Sequence, residues 1–237
     1  MAINKKLIHF KTKENFNNKV ANNEILDTSI VFIQDSKEIH THGTTYKSVN
    51  WSVLEPPKGV FIYDINGKYT LPSEWDTSRN NEAVGVAILT DDCSFVVAKS
   101  DIGTNKWGGY GTDISTLTNY TDEESAATDF DGVNNTSKII TALGSSNAAG
   151  DCSAYTFTNG KTGYLGAAGE WQVARQNKEN LNSALTLIGG TAMTESVYWT
   201  STESSSFSAW QQWFDSDSGL YISNKGVNNY VRAFLAL

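Results

Sequence analysis

The chain has 237 residues, 39% of them hydrophobic and 11% aromatic, with a net charge of −8 and a pI near 4.9. That supports one large domain or a medium domain with a small companion, and the acidic balance without a Lys or Arg run excludes the basic footprint of a nucleic-acid or anionic-membrane binder. Cys93 and Cys152 fit no zinc spacing and are too few for a disulfide scaffold, so they read as buried free thiols.

The first ten residues contain Lys5 and Lys6, but Lys11, Lys13 and Glu14 interrupt any apolar segment. An N-terminal export signal is therefore not expected, and a protein acting outside the cell would have to leave it another way. No apolar run approaches the roughly 18 residues of a membrane span, so no membrane insertion is expected. Residues 30–33 and 38–42 are short strand-like runs joined by Asp35-Ser36-Lys37, which predicts a hairpin. His40 and His42, two apart on a strand, would share a face that can hold a metal. No third ligand lies nearby, and exposed histidines without a metal are the plainer reading. Glu55-Pro56-Pro57-Lys58-Gly59 is the clearest breaker. It divides a small β-rich module, residues 1–57, from a larger domain, residues 58–237.

The larger region opens with strand-like runs at 59–63, 84–89 and 93–98, the last two joined by a turn at Asp91-Asp92. Gly103 and Gly108 have the outer spacing of a phosphate loop but lack the Lys-Ser/Thr that completes it. Thr121-x-x-Glu124 predicts a capping box. Ile139, Ile140 and Leu143 follow at helical spacing and stop at Gly144. A second helix is predicted from Glu170 to Ile188, ended by Gly189-Gly190. Asp129-Phe130-Asp131-Gly132 and Asp215-Ser216-Asp217-Ser218-Gly219 each resemble a fragment of a calcium loop. Without the rest of the twelve-residue pattern they read as turns. Strands, then helices, then strands indicate an α+β fold.

The last forty residues combine Ser, Asn, Asp and Gly with many aromatics, whereas disordered tails are aromatic-poor. Strand alternation in residues 209–214 puts Trp210, Gln212 and Phe214 on one face and Gln211, Trp213 and Asp215 on the other. One indole can be core. The other is then exposed as an anchor for a ligand, or covered by helices on a second buried face.

Residues 128–132, 138–144 and 163–172 resemble the large C-type-lectin-like domains of gut Bacteroidales bacteria and their phages. So do the opening at 198–203 and the close at 230–233. Many such domains are variable proteins of diversity-generating retroelements, related in fold to the formylglycine-generating enzyme. The resemblance covers residues 59–237, and residues 1–57 resemble modules that precede such domains in phage tail proteins. It implies a variable region at 198–237, rewritten at template adenines that usually fall in asparagine codons. Ser206, Phe207, Ser208, Asp215, Asp217, Leu220, Tyr221, Ser223, Val227 and Asn229 are within the accessible set. Gln211 and Trp213 are not, although alternation turns both outward. With those two included, the twelve form the expected ligand-binding surface. Trp199, Trp210, Phe214, Val231 and Arg232 match the constant framework.

Two departures from related proteins matter. The Glu-Pro-Asn and Gln-Pro-Asp triplets and paired cysteines of calcium-dependent animal lectins do not occur. Nor does any cysteine from residue 153 onward, where the formylglycine-generating enzyme needs a reactive pair. The resemblance thus implies a non-enzymatic phage tail-tip adhesin, without catalytic residues, cofactor or metal. Its partners would be a bacterial cell-surface protein or glycan and other virion proteins, with residues 1–57 attaching or trimerising it. It would be made in the host cytoplasm, with the bacterial cell surface as the alternative location. The competing expectations are a structural virion or cell-surface protein with a fixed lectin-like domain, and an oxidase of the formylglycine-generating type.

Overall fold

A computed structural model describes residues 7–10, 13–21, 30–33, 38–41, 44–47, 58–193, 197–215 and 219–237. The predicted turn at Asp35-Ser36-Lys37, His42, Glu55-Pro56-Pro57 and residues 216–218 of the second Asp-rich turn lie outside them. The chain forms an α+β structure of two compact units, residues 1–57 and 58–237. Among the described residues no helix is long and apolar enough to cross a membrane.

The first unit holds β1 (Leu7–Phe10), α1 (Lys13–Ala21), β2 (Ile30–Ile33), β3 (Glu38–Thr41) and β4 (Thr44–Lys47). The sheet order is β1-β2-β3-β4, parallel at the first pair and antiparallel afterwards. The two runs predicted as a hairpin pair antiparallel, Ile30 opposite Thr41 and Ile33 opposite Glu38.

The second unit is built on a six-stranded antiparallel sheet. Its first strands are β5 (Gly59–Asp64), β6 (Tyr69–Thr70), β7 (Ala83–Leu89) and β8 (Ser94–Ala98). Every residue of β7 is buried, so its apolar run is continuous and does not alternate: both faces of the sheet are covered. One face packs Ile62, Val86, Ile88 and Val97 with Trp171, Leu181 and Leu185; the other packs Phe61, Ala87 and Val96 with Trp107, Ile139 and Ala149. Gly85 allows a close approach of β7 to β8, since a Cβ there would collide with the Val97 carbonyl oxygen.

The chain then runs through β9 (Gly103–Lys106), α2 (Glu123–Ala126), α3 (Gly132–Leu143), α4 (Ala148–Ala154) and β10 (Tyr164–Leu165). The expected capping box at Thr121 does not form, and the cap lies one residue further on. The cap of α2 is Asp122, whose carboxylate accepts from Ser125 N at 2.8 Å. Helix α3 ends at Gly144, where φ is +76°. The predicted helix 170–188 is two helices, α5 (Ala168–Gln176) and α6 (Lys178–Leu187). Asn177 interrupts it: its side-chain amide donates to the Val173 carbonyl at 2.9 Å, in competition with the helical ladder.

Five strands complete the unit: β11 (Val197–Glu203), β12 (Ser208–Trp213), β13 (Leu220–Asn224), β14 (Asn228–Val231) and β15 (Ala233–Ala236). Strand β15 inserts into the six-stranded sheet, ordered β10-β15-β8-β7-β5-β6. The other four join β9 in a mixed five-stranded sheet, ordered β13-β12-β11-β14-β9, with β11 and β14 parallel. Trp171 of α5 packs on Tyr198 of this sheet and Phe234 of the other, at ring centroids of 4.9 and 4.7 Å.

Candidate binding face

Register decides what each face of the five-stranded sheet presents. Gln211 stands opposite Tyr221 and Trp199, Trp213 opposite Val197, Ala209 opposite Ser223, and Asn229 opposite Asn105. These residues therefore share one face, because directly paired positions point the same way. The other face takes Tyr198, Trp210, Gln212 and Leu220. Trp210 and Leu220 pack there with Ala126 and Ala168.

The two indoles of β12 have opposite fates. Trp210 is buried and donates its ring N–H to the Tyr120 carbonyl at 2.8 Å. Trp213 is 37% exposed and meets Tyr221, 48% exposed, at a ring distance of 5.8 Å and an angle of 61°. Beside them Asn229 Nδ2 donates to Gln211 Oε1 at 2.8 Å, a bond that spans β11. At the other end of β12, Phe207, 53% exposed, packs edge-on against Tyr110 at 5.3 Å.

Of the twelve expected surface residues, Phe207, Trp213, Tyr221 and Val227 are exposed, and Ser206, Ser208, Asp215 and Ser223 are half-buried. Asp217 lies outside the described residues. Three expectations need correction. Leu220 is 2% exposed, because alternation from the outward Tyr221 turns it into the packing around Trp210. Gln211 and Asn229 are 8% and 9% exposed, since each covers the other across β11. Their amides belong to the floor of the face, and the more exposed Trp213 and Tyr221 rings share that face with them. The expected framework residues Trp199, Trp210, Phe214, Val231 and Arg232 are all buried.

A buried polar frame holds this face rigid. Lys225 and Glu203, both enclosed, form an ion pair, with Lys225 also donating to the Thr112 carbonyl at 2.9 Å and lying over the Trp107 ring at 4.5 Å. Burial pushes the Glu203 carboxyl up, and Lys225 partly opposes this. Thr202 Oγ1 donates to Asp129 Oδ2 at 2.7 Å and accepts from Ala168 N at 2.8 Å. Arg232 Nε donates to Asp101 Oδ1 at 2.6 Å. The two Asp-rich segments thus differ: Asp129 is an internal anchor for β11, while Asp215 stands at the end of β12.

Sequence reasoning missed Tyr110, Ile222 and Tyr230, all exposed aromatic or aliphatic groups near these strands. Tyr110 had a legible signal, an aromatic within Gly108-Gly109-Tyr110-Gly111, where all three glycines have positive φ. Ile222 and Tyr230 lie on the face opposite to Trp213.

The side chains whose ionisation burial shifts most lie elsewhere in the interior. Burial raises the Cys152 thiol well above its ordinary value and pushes half-buried Cys93 up to about 11. Burial likewise pushes Glu170 up to about 7, against hydrogen bonds from Tyr164 Oη and Ala167 N, both at 2.7 Å. Among the described residues no group of three or more His, Cys, Asp or Glu side chains is placed to hold a metal ion.

No protein-family model and no curated protein matches the sequence. Among solved structures the chain is similar to a fimbrial protein from Bacteroides ovatus, at 14% identity and a TM-score of 0.44, covering 88% of this chain and 52% of that one. The chain therefore spans about half the length of that protein.

Proposed function

We propose that this chain is a non-enzymatic receptor-binding protein, a phage tail-tip adhesin whose 58–237 unit is a C-type-lectin-like domain related to the formylglycine-generating enzyme. Residues 1–57 attach or trimerise it on a larger virion assembly, and residues 198–237 are the region a retroelement diversifies. The observation that carries the reading is the contrast along β12 and β13. Trp213 and Tyr221 stand exposed together on one face, while Trp210 of the same strand is buried and bonded and the Lys225–Glu203 pair is enclosed. Rigid aromatics on a preorganised surface supply contact area at low entropy cost, which is how binding anchors work. The raised thiols support binding over oxidase chemistry, because the thiolate is the reactive form.

Two experiments test this. The Trp213→Ala/Tyr221→Ala double variant is expected to lose binding to cells of gut Bacteroidales strains while melting at nearly the parent temperature. Unchanged cell binding would remove this face as the receptor site. Sequencing the gene's 3′ end and flanking DNA across isolates tests diversification separately. A nearby copy of codons 198–237, with differences confined to its adenines, is the expected result. An invariant stretch without a template copy leaves a fixed binder.

A further inference from the structure

We infer that the Gln211–Asn229 pair and the Trp213–Tyr221 rings form a subsite for one neutral pyranose unit of a glycan, a refinement that rests on the receptor-binding reading of this face. Gln211 and Asn229 are each more than nine-tenths buried, and each spends one amide group on the other. The remaining two, Gln211 Nε2 and Asn229 Oδ1, take no hydrogen bond among the described residues. Neither is among the enclosed, unpaired polar atoms, so both reach the surface. The opposite sense of the amide–amide bond would also leave one NH2 and one carbonyl open. A preorganised donor and acceptor thus lie side by side, fixed by burial and not by long flexible side chains.

That pattern complements adjacent hydroxyls of a sugar ring. One hydroxyl gives its hydrogen to the amide carbonyl, and its neighbour accepts from the amide NH2. Trp213 and Tyr221 flank this floor, with Tyr221 directly opposite Gln211, and their 61° inclination gives one ring to stack on the C–H face of a pyranose and one to wall its edge. None of these four side chains is charged, and the chain as a whole carries −8, which disfavours sialylated, sulfated or phosphorylated units. A buried amide pair also discriminates strongly, because a ligand lacking the hydroxyls leaves it dry and unpaired.

The full-length chain should be titrated with methyl glycosides of glucose, galactose, mannose, N-acetylglucosamine and N-acetylgalactosamine, followed by saturation-transfer NMR and tryptophan fluorescence. At least one glycoside is expected to bind weakly, with transfer concentrated on the C–H protons of one ring face. Gln211→Glu keeps the acceptor for Asn229 but removes the open donor, and is expected to weaken that glycoside about tenfold or more. Gln211→Ala serves as the second variant, with the fold of both checked by circular dichroism. If no glycoside binds, or if both Gln211 variants bind as tightly as the parent, the sugar assignment is overturned. A cell arm separates this from failure of the receptor reading. Cell binding that periodate abolishes and protease spares supports the sugar subsite. Binding that protease abolishes and periodate spares overturns it and leaves a protein receptor. A chain that binds no strain counts against the receptor reading itself.

Discussion

The two sheets of the 58–237 unit are held by different physics. The six-stranded sheet is an apolar sandwich: β7 is buried along its whole length, and its neighbours contribute Ile62, Phe95, Val96 and Val97 to the two sides. The five-stranded sheet buries Thr200, Ser201, Thr202, Glu203, Gln212, Lys225 and Arg232, most of them bonded to named partners. Apolar burial is tolerant of sequence and non-directional. A bonded polar frame fixes loops and strands in one geometry but tolerates little loss of its parts. The sheet that presents the exposed aromatics is thus the one whose backbone is pinned by directional bonds.

The largest expected effect comes from breaking that frame. Lys225→Met leaves Glu203 enclosed without its cation, which is expected to destabilise the fold by about 3–5 kcal/mol. Replacing both, Lys225→Met with Glu203→Met, is expected to recover much of that loss, because no charge then remains buried. Ile88→Ala in the six-stranded sheet should cost about 2–4 kcal/mol through the cavity it leaves, and no second substitution of a polar partner will repair it. Urea unfolding of the four proteins checks the contrast. A double variant no more stable than Lys225→Met would mean the two sheets do not differ in this way.

Glu170 ties a helix to the six-stranded sheet, since it caps α5 and bonds Tyr164 of β10. Its folded pKa, about 7, is raised above the ordinary value of 4.5, with burial the leading cause. The folded state therefore binds the proton more tightly than the unfolded state between those values. Its contribution to stability is fully present below about 4.5 and declines as pH rises through about 7. The expected loss over that window is on the order of 3 kcal/mol at most. Glu170→Gln should flatten this part of the profile, which thermal melts from pH 4.5 to 8 would show.

The polar floor offers a subtler break. Asn229→Leu leaves Gln211 Oε1 without its donor and should cost about 1–2 kcal/mol, whereas Gln211→Leu with Asn229→Leu should sit close to the parent. A double-mutant cycle by urea unfolding measures the coupling directly.

How much of this was legible differs between the sheets for the same reason. Apolar runs such as 84–89 announce strands whatever their partners, so β5, β7 and β8 could be read directly, whereas the two-residue strands β6 and β10 offered no run to read. In the other sheet, alternation separated Trp210 from Trp213 and, applied backward from Tyr221, would have turned Leu220 inward. It could not show that Asn229 reaches across β11 to cover Gln211. Nor could it pair Lys225 with Glu203, because those contacts depend on strand order, which sequence periodicity does not encode. The break at Asn177 was likewise hidden, since the apolar positions on either side stay in register.

The smallest expected effect on stability is at Trp213 and Tyr221, and it is the most informative. Both rings are partly solvated and lie on the edge pair β12–β13, so removing them exposes little that was dry. Trp213→Ala alone should change stability by less than about 1 kcal/mol. Trp210→Ala, three residues away on the same strand, should cost about 3–5 kcal/mol. If the two indoles destabilise equally, Trp213 is core and the face does not present it. If Trp213→Ala is silent in melting and deleterious to binding, its partial exposure has no structural benefit to offset it. An aromatic that contributes little to folding, beside a buried and bonded indole on the same strand, then has its reason in the ligand.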